Sequence, residues 1–384
     1  MKKNILVFTK YYLPAYKAGG PIRSVSNMID WLSDDYEFKV ISSDRDLGDE
    51  SPFENKEFNC WLSDGKSQTF YLSGKGSWKK LADLVRDGKY DLIYLNSFFD
   101  IKYSIFPLII NRLFKKKPVL LSPRGEFSSG ALAIKSLKKQ VFLKFINKSV
   151  LFDDIYWGVT NDLEKNDLIS ALDINQDKIY TLPNLPSSNI RPLFLPKKKP
   201  ASLKIAFLSR VSPKKNLKYV IEILSKVSSH DVELNMYGVI DDRHYWEEVK
   251  KEIKNLPKNV KAIYRGTVRH DKVFETIEKH HLFFLPTLGE NFGHAISESL
   301  LSGTPVLISD QTPWRNLEEK GLGHDLSLSD RNGYLNIITK YADMSQVEMN
   351  RVKEGVYSEI RKKNVKYAVE QSRSVLQKIL EDES

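Results

Sequence analysis

Residues 282–310 read LFFLPTLGENFGHAISESLLSGTPVLISD. Two apolar runs, LFFLPT at 282–287 and PVLISD at 305–310, flank a stretch of helical length. Runs that are apolar at nearly every position suit parallel strands buried on both faces. A strand, a helix and a second parallel strand make a βαβ unit. Inside this one, Glu290 stands directly before Asn291-Phe292-Gly293, and Glu298 follows eight residues later. A helix that merely packs on a sheet has no need of that acidic bracket.

The same alternation runs along the whole chain. In the first half, strands are expected at 4–10, 38–43, 69–73, 91–97, 118–124, 154–160 and 178–184. In the second half they are expected at 203–210, 232–238, 260–266, 282–287 and 305–310. Strand signals fade after Asp325, and residues 345–382 look helical and strongly charged. The fold class is therefore α/β, with two Rossmann-like, doubly wound domains. Between the halves, PNLPSSNIRPLFLPKKKP at 183–200 carries five prolines, which remove backbone donors and stiffen a connection. The expected division is an amino-terminal domain at 1–185, a linker at 186–200 and a second domain at 201–365. A carboxyl-terminal helix at 366–384 is expected to pack back on the first domain. Ligands of open α/β sheets bind outside the carboxyl ends of the strands, so two such domains facing each other are expected to line one cleft.

Bulk composition agrees. At 384 residues the chain exceeds the usual reach of one hydrophobic core. The single cysteine, Cys60, excludes an internal disulfide and fits a reducing compartment. The opening NILVFTK is too short for the apolar region of a signal peptide, and nothing approaches the apolar length of a membrane span. A cytoplasmic location is expected. The net charge of +10 is local in origin: residues 111–148 hold ten Lys and Arg against Glu126 alone. Concentrated positive charge points to an anionic partner, whereas the plainer alternative is a solvated lysine face.

The chemistry is expected at strand ends. A helix starting near Phe292 leaves the amides of Asn291, Phe292 and Gly293 at a positive dipole end, where phosphate binds. Glu290 is placed to accept from sugar hydroxyls beside that phosphate. Glu298, about two turns into the helix, is placed to accept from a second diol such as a ribose. The pattern suits a nucleoside diphosphate sugar. Spacing alone fits more readily a dipole-favoured acid at a helix start and a surface glutamate.

This stretch resembles the Glu-x7-Glu signature of retaining GT-B glycosyltransferases, specifically glycosyltransferase family 4, with Glu290 and Glu298 on the acidic positions. FLSRVSPKKNLKYVIEIL at 207–224 is similar to the first strand, loop and helix of that family's second domain. Arg210 and Lys215 fall on its basic pair, which the resemblance implies holds the donor diphosphate and neutralises the departing charge. The loop YYLPAYKAGGPIRSV at 11–25 resembles the family's glycine-rich loop. The resemblance implies that Gly19 and Gly20 lie by the donor, and Tyr16 and Lys17 on the acceptor side. Arg124 and Glu126 in SPRGEF would project from the acceptor domain, where many members carry a histidine that this sequence lacks. Asn184 lies by the hinge, where an interdomain contact is expected. Base recognition is assigned to backbone groups from Gly266 to Val268, with uridine diphosphate favoured because the family often uses it. The seven histidines show no metal-ligand spacing, and no G-x-S-x-G elbow occurs. The resemblance thus implies metal-independent transfer with no cofactor beyond the nucleotide-sugar substrate.

The stretches 102–117 and 131–148 flank the acceptor strand. In the second, Leu137, Val141, Phe142 and Phe145 share a face while Lys135, Lys138, Lys139 and Lys144 gather elsewhere. A cationic amphipathic helix can lie in a membrane interface, so a peripheral seat at 102–148 on the inner face of an anionic membrane is expected. That charge on the acceptor domain favours a lipid-linked glycan acceptor, which the family resemblance would place in the biosynthesis of bacterial capsule, O-antigen or lipopolysaccharide. The alternatives are a GT-B nucleotide-sugar epimerase and a non-enzymatic basic protein that binds lipid or nucleic acid. Nucleic acid is disfavoured because aromatic and basic residues are not interleaved.

Overall fold

The computed structural model describes residues 2–114, 117–128, 132, 139, 141–143, 150–188, 191–362 and 365–382. Contacts divide the chain into two units: Met1–Ser188 together with Val365–Ser384, and Asn189–Asn364.

Unit 1 is built on eight strands: β1 (Lys3–Phe8), β2 (Tyr36–Ser43), β3 (Trp61–Asp64), β4 (Ser67–Leu72), β5 (Leu92–Leu95), β6 (Val119–Leu121), β7 (Tyr156–Val159) and β8 (Ile179–Thr181). They lie in the order β3-β4-β2-β1-β5-β6-β7-β8. Every neighbouring pair is parallel except β3 with β4. Ile5, Leu6, Val7 and Phe8 are all at most 2% exposed, as a strand covered on both faces requires. Leu6 and Phe8 join Leu95 and Trp157 in one core layer. Ile5 and Val7 join Val25 and Ile29 of the helix Gly20–Leu32 in the other. The helix Val365–Glu381 completes that second layer with Val369, Val375, Leu376, Ile379 and Leu380. It is tied there by Arg373 Nε to Asp35 Oδ2 at 2.8 Å.

Unit 2 holds β9 (Ser202–Leu208), β10 (Asp231–Tyr237), β11 (Val260–Tyr264), β12 (Leu282–Leu285), β13 (Val306–Ser309) and β14 (Gly323–Leu326). Their order, β11-β10-β9-β12-β13-β14, is parallel throughout. Counted from β9 it is the Rossmann arrangement, whose order reverses between the first and fourth strands. The loops at 209–216 and 286–293, which leave β9 and β12, therefore flank the crevice beside the reversal. The amphipathic helix Leu217–Leu224 packs Leu217, Val220, Ile221 and Leu224 against the sheet, all at most 1% exposed.

Two strands differ from expectation. β3 adds an antiparallel edge through the turn at Gly65, in a stretch too polar to signal a strand. β14, of sequence GHDL, pairs with β13 although no strand is expected there. Gly323 makes this possible: at φ +136° a Cβ would lie 2.0 Å from Val306 O. The glycine that resembles a strand breaker is what lets the two backbones meet. Several expected strands are also two residues shorter at their carboxyl ends: 203–210 stops at Leu208, 260–266 at Tyr264 and 282–287 at Leu285. In each case the trimmed residues begin a loop.

Candidate functional site

The loops leaving β9 and β12 are laced together. Asn216, at φ 58°, donates from Nδ2 to Pro286 O at 3.0 Å. Lys214 O accepts from Thr287 Oγ1 at 3.0 Å and from Leu288 N at 2.8 Å. This lacing brings together residues far apart in sequence: Lys215 Nζ donates to Glu290 Oε1. Their side chains are 12% and 13% exposed. An ion pair so little wetted is expensive to break from one side, because the partner left behind is a poorly solvated charge.

Glu290 is held from a third direction, its N–H donating to Gln311 O at 3.1 Å beyond β13. From the same loop, Trp314 Nε1 donates to Phe292 O at 2.5 Å. The Trp314 and Phe292 rings lie 5.7 Å apart, and Phe292 meets His294 at 4.8 Å. Gln311 and Trp314 thus fix both ends of the turn from Glu290 through Asn291 to Phe292. Gly293, at φ 79°, then leads into the helix His294–Leu301. No side chain caps this helix and no acid occupies its first turn. Its amide end keeps the positive character that attracts oxyanions. Glu298 lies on the same helix with 6% of its surface exposed.

Sequence reasoning singled out Lys215 and passed over its neighbour. Lys214 is half-buried, and a Cβ placed on Gly289 would lie 3.8 Å from its Cε, so the lysine stem lies against that turn. Burial is the main cause that lowers its pKa; the nearby Lys215 and Arg210 charges lower it further, and Glu290 opposes them. The adjacent lysines in SPKKN were the available signal. Arg210 is turned toward Asp241, Nη1 to Oδ2 at 3.1 Å, in a pair 43% and 39% exposed. Such a contact is easily exchanged for a ligand.

Gly266 and Val268 follow β11, the edge strand, and are linked to this crevice in steps. Gly266 O accepts from Gly238 N at 2.9 Å. Gly238 in turn lies so close to Ser209 that a Cβ would fall 1.9 Å from its carbonyl oxygen. Val268 packs against the core. His280 and His281 are both buried. His281 Nδ1 accepts from Lys204 N at 3.0 Å, and its Nε2 lies 3.2 Å from Lys197 O. Among the described residues no group of three His, Cys, Asp or Glu side chains is placed to hold a metal ion.

In unit 1 the loop after β1 is pinned by Asp46, whose Oδ2 accepts from Tyr16 N at 2.7 Å and Lys17 N at 3.0 Å. The Lys17 ammonium pairs with Asp49. Gly19, at φ 73°, starts the helix Gly20–Leu32, with Pro21 in its first turn. Arg124 and Glu126, expected to project outward together, have different surroundings. Glu126 turns inward and accepts from Ser97 Oγ at 2.7 Å, Phe98 N at 2.6 Å and Phe99 N at 3.2 Å. Burial raises its pKa while these donors oppose the shift. Arg124 is clasped by Asn96, Asn184 and Tyr94. Asn184, expected at an interdomain contact, accepts from Arg124 within unit 1.

Of the expected amphipathic helix, Lys135, Leu137, Lys138, Lys144, Phe145 and Lys148 lie outside the described residues. Lys139 is described, with Nζ 4.8 Å from the centre of the Phe99 ring. No helix among the described residues is long and apolar enough to cross a membrane.

Residues 193–322 match the family described as glycosyl transferases group 1. A curated relative, an uncharacterized glycosyltransferase of Methanocaldococcus jannaschii, is 27% identical over 106 residues. The match spans 27% of this chain and 26% of that protein, about a quarter of its length. Among solved structures, Anabaena HepE in complex with UDP and glucose superposes with a TM-score of 0.68 at 16% identity. That alignment covers 98% of this chain and 100% of HepE. Sucrose-phosphate synthase from Thermosynechococcus elongatus gives a TM-score of 0.71 at 14% identity, covering 99% and 100%. At such identities the likeness speaks for the fold. The chain thus adopts the GT-B fold of known glycosyltransferases, and within it residues 193–322 match the group 1 glycosyl transferase domain.

Proposed function

We propose that the protein is a retaining glycosyltransferase of family 4 that moves a sugar from a nucleoside diphosphate donor, UDP-sugar being favoured, to a glycan acceptor. The observation that carries this reading is the Lys215–Glu290 pair, held beside an uncapped helix start at the strand-order reversal of the matched domain. A crevice with cations on one loop and an acid at an amide-lined turn suits a ligand that is anionic at one end and hydroxylated at the other.

In the proposed complex, Arg210, Lys214 and Lys215 hold the diphosphate, assisted by amides of Asn291, Phe292 and Gly293. Glu290 accepts from hydroxyls of the transferred sugar, and Glu298 offers its small exposed edge to the ribose. Backbone groups from Gly266 to Val268 read the base. As the bond from the anomeric carbon to the diphosphate oxygen breaks, that oxygen keeps the electron pair and the cations stabilise the charge. The acceptor hydroxyl attacks the same face, and its proton passes to an oxygen of the departing phosphate. The configuration is therefore retained, with lysine and arginine supplying the charge that a metal supplies elsewhere. In unit 1, Tyr16, Lys17 and Arg124 serve the acceptor, with Glu126 bracing the loop that carries Arg124.

The acceptor is proposed to be a lipid-linked glycan of bacterial surface polysaccharide, reached from the inner face of the membrane. The helix Phe106–Phe114 supports a membrane seat by exposing Leu113 and Phe114, 68% and 52% accessible, beside Arg112 and Lys117. Incubating the protein with a panel of nucleotide sugars and measuring release of the free diphosphate tests the reaction. One donor is expected to be hydrolysed slowly, and its nucleotide to raise the melting temperature while oligonucleotides do not. If no nucleotide diphosphate stabilises the protein and no donor is cleaved, the assignment is wrong.

A further inference from the structure

We propose that Arg124 is the anchor of an oxyanion-binding site in unit 1, one that recognises a phosphate or carboxylate carried by the sugar acceptor. It rests on the proposed function only in calling the ligand an acceptor; the site itself is read from unit 1 alone.

Arg124 adopts φ 56° in the loop after β6, and Gly125 follows at φ 75°. A non-glycine residue in the left-handed region is sterically disfavoured, so the rest of the loop must hold it there. That backbone turn carries the guanidinium among three acceptors. Nε donates to Asn96 Oδ1 at 2.8 Å, Nη1 to Asn184 Oδ1 at 2.7 Å, and Nη2 to the Tyr94 hydroxyl. Asn96, Asn184 and Tyr94 are 3%, 7% and 0% exposed, so the clasp is rigid.

All three acceptors are neutral. The two carboxylates that adjoin this loop serve other donors. Glu126 takes those of Ser97, Phe98 and Phe99, and Glu164 takes those of Gly125 and Thr160. Among the described residues, no carboxylate pairs with Arg124. A guanidinium that is only partly exposed, fixed in orientation and left without a counter-charge is costly as pure scaffolding. It is instead suited to receive an anion, because Arg presents planar donors that match carboxylate and phosphate. The bound oxyanion would use the guanidinium edge that the three protein acceptors leave over.

A second positive feature adjoins it. Asn96, which accepts from Arg124, also donates to Pro21 O at 3.1 Å, in the first turn of the helix Gly20–Leu32. That helix has thirteen residues, no side-chain cap and no acid in its first turn. One buried asparagine therefore joins the clasped arginine to a positive helix end. Both point to the same kind of ligand.

The test uses the full chain without nucleotide, titrated with glucose, glucose 6-phosphate and glucuronate, and followed by calorimetry and melting temperature. The two anionic sugars are expected to bind and glucose not to; the tighter of the two names the preferred group. Asn184→Asp keeps the shape of the clasp but supplies an internal carboxylate, so it is expected to weaken anion binding about tenfold or more, equivalent to about 1.4 kcal/mol. Arg124→Gln is expected to do the same, and Asn184→Asp guards against a folding defect in that variant. Lys226→Gln, an exposed change in unit 2 outside the proposed diphosphate site, is expected to leave the anion response unchanged. Binding that persists in Asn184→Asp, that glucose matches, or that is lost in Lys226→Gln instead would overturn the site. Because no nucleotide is present, failure here leaves the transferase reading standing, and failure of that reading leaves this result standing.

Discussion

Replacing Lys215 by Gln separates a structural ion pair from a catalytic one. The change strands the Glu290 carboxylate at 13% side-chain exposure. Breaking a fully buried pair from one side costs about 3–5 kcal/mol, and an exposed pair is worth about 0–1 kcal/mol. With both side chains slightly wetted, about 2 kcal/mol is expected, a fall of roughly 4–8 °C in melting temperature for a unit of this size. The double variant Lys215→Met, Glu290→Met removes both charges and is expected to regain most of that loss, because neither partner is left unpaired. Turnover should behave differently. If Lys215 stabilises the departing diphosphate, removing it costs about 3 kcal/mol of transition-state energy, or on the order of a hundredfold in kcat. The double variant must then stay inactive although stable. Melting curves and donor-cleavage rates on the same samples decide the matter. A double variant that turns over within about threefold of the parent would show that the pair only braces two loops.

Lys214 should make nucleotide binding depend on alkaline pH. Its folded pKa is lowered, chiefly by burial. As pH rises through that lowered value the site loses positive charge, so UDP affinity should fall, and Lys214→Met should flatten the profile. His280 and His281 predict acid sensitivity. Burial holds both near a pKa of about 4, against about 6.5 unfolded. The stability they contribute as neutral rings is complete above pH 6.5 and is lost as pH falls toward 4, by up to about 3 kcal/mol each. Melting temperature against pH should fall less steeply in His281→Gln; an unchanged slope would remove this residue from the account. Trp314→Phe keeps a ring against Phe292 but deletes the bond to its carbonyl, a loss of about 1 kcal/mol. The expected result is a raised KM for the donor with a smaller fall in kcat; unchanged kinetics would mean that the turn holds itself.

How much of this was legible depends on the distance over which each feature is decided. Parallel strands such as LFFL and VLIS declare themselves because both faces are buried, so every position is apolar. GHDL at 323–326 does not, since its place in the sheet rests on a backbone approach to Val306 that no periodicity records. Lys215 and Glu290 lie 75 residues apart. They could be paired in thought because each follows a strand, and the two strands border the reversal in a doubly wound sheet. Lys214 escaped because a lysine beside a lysine looks like solvated charge until its burial is seen. The surroundings of Arg124 escaped for a different reason. Asn96, Tyr94 and Asn184 come from positions 28, 30 and 60 residues away, and only the tertiary fold shows that all three are neutral.

The helix Val365–Glu381 lends Val369, Leu376 and Ile379 to the layer that covers β1 and the helix Gly20–Leu32. During synthesis the ribosome makes all of Asn189–Asn364 between the first part of unit 1 and this closing piece. The amino-terminal sheet must therefore wait, with one apolar face partly uncovered, while the later unit emerges with its own core complete. That interval is when the nascent chain is most open to aggregation or chaperone capture. Any fusion or truncation that hinders the returning helix would prolong it without touching a single residue of the crevice.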